Sequence, residues 1–171
     1  MLVWGTNPPN TSPIKASWMM DAKALGARLI VVDPLFSETA SKADLWLQLR
    51  PGTDAALALG MLNVIINGGL YDKDFVGRWC NGFEELREKV QEYPPEKVAE
   101  ITWVPAEKIA EAARMYAMTK PACLIECLAT EQRSYWCLLS GRAGITAISC
   151  CTMKILRRPS DQRSYAASSA V

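Results

Sequence analysis

The chain has 171 residues, no histidine, and 19 basic against 18 acidic side chains, for a formal net charge of +1. Half of its residues are hydrophobic, enough for one domain with a packed core, while the balanced charge gives no footprint for a nucleic-acid surface or an anionic membrane. The missing histidine removes the commonest general base and the commonest zinc ligand together, and no apolar run approaches the roughly 20 residues of a membrane span.

Leu2-Val3-Trp4 reads as a short strand that ends at GTNPPNTSP, where Gly, Asn and Pro forbid continuation. Thr11 or Ser12 then caps a helix with Pro13 in its first position. Ile14, Trp18, Ala22 and Leu25 mark its apolar face, and Gly26 stops it. RLIVVD follows as a second strand, apolar on both faces as a parallel strand between helix layers should be. Strand, helix and strand within about 33 residues suit a right-handed βαβ crossover.

A third strand, LWLQL, comes after a connection that starts at Asp33. PGTD launches a helix over 55–66, with Thr53 or Asp54 as its cap and Asn67-Gly68-Gly69 as its stop. Asp72 caps a short helix that places Phe75 and Trp79 on its buried side, and FEELREKVQEY is amphipathic through Leu86 and Val90. Pro95 and Pro105 sit where a first helical turn tolerates proline, and Ile109, Ala112, Ala113 and Tyr116 draw another apolar face. ACLIE after Pro121 is a candidate fourth strand. Cys80, alone between Trp79 and Asn81, reads as a small buried hydrophobe.

The composition then shifts. Residues 123–171 hold six basic and three acidic side chains, seven serines and five of the six cysteines, with no helical period. They read as a disordered tail or as a stretch translated out of its natural frame. The expected fold is therefore α/β, a Rossmann-like parallel sheet flanked by helices over residues 1–122, with a divergent, aberrant tail over 123–171. No basic or apolar leader follows Met1, which makes the cytoplasm the default compartment and a disulfide framework unexpected.

Three polar loops, GTNPPNTSP, DPLFSETA and RPGTD, each stand at the C-terminal end of a predicted strand. In a parallel sheet those ends share one edge, where ligands bind beside helix N-termini. Asp33 can accept hydrogen bonds from a ribose diol or the N–H edge of a guanine. Gly5 and Gly52 allow close backbone approach, and Asn7, Thr11, Ser37, Thr39 and Thr53 offer hydroxyl or amide contacts. Asp54 either caps its helix or accepts from a base. Alone, an Asp before Pro is a turn former; repetition at three strand ends favours a nucleotide site. The first loop lacks G-x-G-x-x-G, which disfavours NAD and leaves it a minor alternative resting on Asp33.

LVWGTNPPNTSP, the stretch from GARLIVVDPLF through RPGTDAAL to GGLYDKDFV, and EITWVPAEKIAEAARMYA together resemble the molybdopterin oxidoreductases of the dimethyl sulfoxide reductase type. That group includes formate dehydrogenases, nitrate, thiosulfate and polysulfide reductases, and acetylene hydratase. The resemblance covers residues 1–122 and implies the domain that grips one half of a bis(molybdopterin guanine dinucleotide) cofactor carrying molybdenum or tungsten. It assigns Gly5, Asn7, Asn10 and Thr11 to the dinucleotide, Asp33 and Thr39 to the guanosine, and Gly52 and Asp54 to the turn that closes over the same group.

Departures accompany the match. Leu35 stands where the family has arginine, so a charge-assisted contact, worth about 1.5–3 kcal/mol, is missing. The family's Trp-Gly-x-Gly and Thr-Gly-Asn segments are absent, with a trace of the first region in ATEQ at 129–132. The metal-ligand residue and any iron–sulfur cysteines lie upstream in such proteins, so neither a catalytic residue nor a metal ligand nor an iron–sulfur cluster is assigned to this chain, and the tail cysteines match no cluster spacing. The expectation is an internal fragment of an oxidoreductase, inactive alone. Its partners would be the cofactor, the remaining domains of the catalytic subunit and an iron–sulfur electron-transfer subunit. The parent enzyme's compartment is open, since many relatives are exported. The alternative is a non-catalytic nucleotide-binding or subunit-interaction module.

Overall fold

The computed structural model describes residues 1–126; the expectations for the tail beyond them lie outside the described residues. In chain order the elements are β1 (Leu2–Trp4), α1 (Pro8–Thr11), α2 (Pro13–Ala24), β2 (Ile30–Val32), α3 (Glu38–Ser41), β3 (Leu45–Leu47), α4 (Asp54–Asn67), α5 (Lys73–Trp79), α6 (Phe83–Val90), α7 (Pro95–Thr102), α8 (Ala106–Met118) and β4 (Leu124–Glu126). The strands form a parallel sheet in the order β3-β2-β1-β4. An α/β parallel sheet flanked by helices is the expected fold class.

Strand alternation divides the core in two. Leu2, Trp4, Ile30, Val32, Leu45 and Leu47 face the layer of α4, α7 and α8, where Leu57, Leu62, Ile65, Val98, Ile109 and Tyr116 are buried. Val3 and Val31 face the other way, toward Met19 of α2 and Ala40 of α3. The continuous apolar strands thus reflect burial on both faces.

The apolar face expected for α2 points outward. Ile14 and Trp18 are each 67% exposed and Leu25 90%, while Ala16 and Met19 are buried instead. The helix carries two candidate inner faces; the sheet takes the one on which the small Ala16 permits close approach, and the Lys23–Asp44 ion pair fixes the same rotation. Trp79 is likewise exposed, because α5 buries Val76, and Cys80 is only half-buried.

Caps follow chemistry rather than residue type. Asp72 accepts the Phe75 N–H at 3.0 Å as expected. Ser12 and Thr53 occupy the N-cap positions of α2 and α4, yet neither side chain makes a capping bond. The short α1 and α3, inside stretches read as loop, are stopped after four residues each, α3 under a cap by Ser37. No helix among the described residues is long and apolar enough to cross a membrane.

Candidate functional site

The register pairs Trp4 with Val32, and Val32 with Leu47, so the three strands end abreast. One more ladder row follows: the Gly5 N–H donates to Val32 O at 3.1 Å and the Asp33 N–H to Leu47 O at 3.3 Å. The three loops therefore leave the sheet along one edge. Gly5 turns there at φ 61° and Gly52 at φ 92°, left-handed conformations that glycine adopts without strain.

Each loop is then tied to a neighbour. On the α3 side the Thr39 hydroxyl donates to Asn7 Oδ1 at 2.7 Å, and the Trp46 indole donates to Asp33 O at 2.9 Å. On the α4 side the Trp4 indole donates to Asp54 Oδ1 at 2.9 Å. Gln48 Nε2 reaches Pro34 O at 3.3 Å. Within the second loop, Asp33 Oδ1 accepts the Leu35 N–H at 2.9 Å, the Asx turn that lets the chain leave β2 sharply. Each of these bonds contributes about 1 kcal/mol net, and together they hold the edge in one geometry.

The expected site residues differ in burial. Gly5, Asn7, Asp33, Gly52 and Asp54 are half-buried along the edge. Asn10 and Thr11 are exposed on α1, where the Thr11 hydroxyl donates back to Asn7 O at 3.1 Å. Thr39 is fully buried, so its contribution to the edge runs through Asn7. Ser37 and Thr53 turn inward: Ser37 Oγ accepts the Ala40 N–H, and the Thr53 hydroxyl donates to Arg50 O at 2.7 Å.

The family model described as molybdopterin oxidoreductase matches residues 1–170. The chain belongs to the molybdopterin oxidoreductase family. It is 55% identical over 112 residues to acetylene hydratase of Syntrophotalea acetylenica, covering 66% of this chain and 15% of that protein. It is 46% identical over 125 residues to formate dehydrogenase H of Escherichia coli K12, covering 73% and 18%. Among solved structures, acetylene hydratase from Pelobacter acetylenicus aligns at a TM-score of 0.72 and 44% identity, over 88% of this chain and 20% of that one. The chain thus spans about a fifth or less of the length of these relatives.

Membership in the molybdopterin oxidoreductases implies a molybdenum or tungsten pterin cofactor. The polar groups at the edge fit a ligand that presents N–H and O–H donors. Asp33 and Asp54 each use Oδ1 internally, and among the described residues no hydrogen bond occupies either Oδ2, leaving acceptors for N–H and O–H groups. Cationic partners for phosphate are sparse: Leu35 is exposed where an arginine would reach out, and Arg50 lies over the exposed Trp103 ring at 5.2 Å. Among the described residues no three His, Cys, Asp or Glu side chains gather as metal ligands.

The sequence reading placed Trp4 and Trp46 only within the strands Leu2-Val3-Trp4 and LWLQL. Their indole N–H groups turn out to fasten two of the three loops. The available signal was that a tryptophan taken into the fold needs an acceptor; Trp4 finds the Asp54 carboxylate and the half-buried Trp46 the backbone carbonyl of Asp33.

Proposed function

We propose that this chain is the part of a molybdopterin oxidoreductase that grips the guanine dinucleotide end of a bis(molybdopterin guanine dinucleotide) cofactor. The observation that carries this reading is the single sheet edge at which Gly5, Asn7, Asp33, Gly52 and Asp54 stand together, with the two carboxylates each retaining an acceptor. When bound, the cofactor's metal supplies two-electron or oxygen-atom chemistry. The residues of this chain bind and orient: Asp33 and Asp54 accept from sugar hydroxyls or base N–H groups, the Asn7 amide donates, and the glycines admit the ligand close to the backbone. Asn10 and Thr11 line the outer rim.

With none of its residues assigned to the metal or to the substrate, the chain alone would turn nothing over. The remaining domains of a catalytic subunit, and an iron–sulfur electron-transfer subunit, are its proposed partners, and the cytoplasm its proposed compartment. A second reading, a subunit-interaction module, is favoured by the outward Ile14 and Trp18 of α2 and by Leu25 at its C-cap.

Titration of the chain with GDP and with NAD, followed by tryptophan fluorescence, tests the nucleotide reading, because Trp4 and Trp46 adjoin the loops. Saturable GDP binding that weakens at least about tenfold in Asp33→Ala is expected, the size of a lost hydrogen bond to a charged group. Equal indifference to both nucleotides would overturn it.

A further inference from the structure

We propose that Trp4 is a positioning residue that sets the orientation of the Asp54 carboxylate. Trp4 is the last residue of β1 and has no exposed surface. Its indole carries a single donor and no acceptor. That donor crosses from the sheet to the first residue of α4 and meets Asp54 Oδ1 at 2.9 Å, a link between positions 50 apart in the chain.

The bond draws Asp54 away from the role its position suggests. An aspartate at the start of a helix ordinarily serves the helix's own free N–H groups. Here α4 has no side-chain cap: the Thr53 hydroxyl is spent on Arg50 O, and Asp54 Oδ1 on the indole. The rigid ring, packed in the core with Leu2, Val32 and Leu57, dictates where Oδ1 must lie and so leaves Oδ2 as the remaining acceptor in a fixed place. Asp33 differs, because its Oδ1 is held by the N–H of Leu35, two residues along its own loop. A ligand N–H or O–H arriving at Asp54 therefore meets an acceptor whose ordering cost is already met by folding. The use to which Oδ2 is put rests on the nucleotide-site reading above; the orientation itself does not.

The test uses the 171-residue chain with two readouts. In ¹⁵N-labelled protein without ligand, the Trp4 indole resonance, assigned by its disappearance in Trp4→Phe, should exchange slowly with solvent. Asp54→Ala should speed that exchange at least about tenfold, as loss of a charge-assisted hydrogen bond requires, while Asp54→Asn, which keeps a carbonyl acceptor of the same shape, should preserve it. If Asp54→Ala fails to fold, the serine variant Asp54→Ser replaces it. Exchange unchanged on removal of the carboxylate overturns the proposal whatever the ligand result.

The second readout is GDP affinity across Trp4→Phe, Asp54→Ala and the double variant. Trp4→Phe should weaken binding roughly tenfold, and the double variant should be no weaker than Asp54→Ala, because Trp4 acts only through that carboxylate. Losses that multiply overturn the proposal, since Trp4 would then act by packing alone. A wild-type chain that ignores GDP overturns the nucleotide reading, and the exchange readout still decides the orientation.

Discussion

The two faces of the sheet are closed in different ways. On one, α4, α7 and α8 bury Leu57, Leu62, Ile65, Val98, Ile109 and Tyr116 in a continuous apolar layer against Leu2, Trp4, Ile30 and Val32. On the other, α2 and α3 supply little beyond Met19 and Ala40, and the larger apolar residues of α2 look outward. Between α2 and β4 an open groove of about 500 Å³ is lined by Trp18, Met19, Leu124 and Ile125. One face is held by packing. The other combines a small apolar cluster around Met19 and Ala40 with a few polar ties, among them Lys23 to Asp44 and Thr39 to Asn7.

That contrast can be broken most sharply by truncating one residue on each side. Leu62 is wholly buried in α4, and Leu62→Ala should cost about 2–5 kcal/mol through lost transfer energy and the cavity left behind. Trp18→Ala removes a larger side chain from α2, yet at 67% exposure it should change stability by no more than about 0.5 kcal/mol. Urea unfolding of both variants reads the difference directly. Equal losses would mean that α2 packs against something the contrast omits.

A smaller effect sharpens the same point from within the packed face. Gly60 lies where α4 crosses α7, and a methyl group added there would come within 2.9 Å of Val98 Cγ2. Val98 is fully buried and has nowhere to retreat. Overpacking costs about 1–3 kcal/mol, and the gain in helix propensity from Gly to Ala returns at most about 1 kcal/mol. Gly60→Ala should therefore lower stability by about 1–2 kcal/mol, and thermal melts showing no loss would mean the two helices separate more easily than their packing implies.

How much of this was legible beforehand follows the same division. The strands, their parallel arrangement and the α8 face through Ile109, Ala112, Ala113 and Tyr116 followed from runs of β-branched residues and from period, because there the apolar residues do face the sheet. Reading α2 the same way failed. Periodicity shows that a helix has an apolar stripe, not that the neighbour it meets belongs to the same layer, and Ala16 with Met19 offered the closer fit. At the edge, the loops and the alignment of Gly5, Asp33 and Gly52 were visible as turn chemistry at strand ends. The cross-links were not. That Thr39 would be buried beneath Asn7, or that Trp4 would reach Asp54, depends on distances between segments brought together only by the sheet.

On the thinly packed face the polar tie itself can be tested by pH. Asp44, just before β3, accepts from Lys23 of α2 at 2.8 Å and from the N–H of Leu29, just before β2, at 2.6 Å, so it pins helix to sheet. Burial opposes its ionisation, but the Lys23 hydrogen bond, the Leu29 N–H and the charges of Lys23 and Arg28 outweigh that and hold the carboxyl below its usual range. The folded state then binds fewer protons than the unfolded chain across the interval between the two pKa values. Its stabilisation is complete above the ordinary aspartate value of about 3.9 and disappears as the pH falls through the lowered one. Both side chains are more than a quarter exposed, so screening limits the tie to about 1 kcal/mol or less. Asp44→Asn keeps an acceptor for Leu29 and loses only the charge. It should be less stable than the native chain by that amount at pH 7, with the gap closing below about pH 4 and shrinking in high salt. The absence of any gap at pH 7 would assign the anchoring of α2 to Ala16 and Met19 alone, and the two faces would then differ in the amount of packing rather than in its kind.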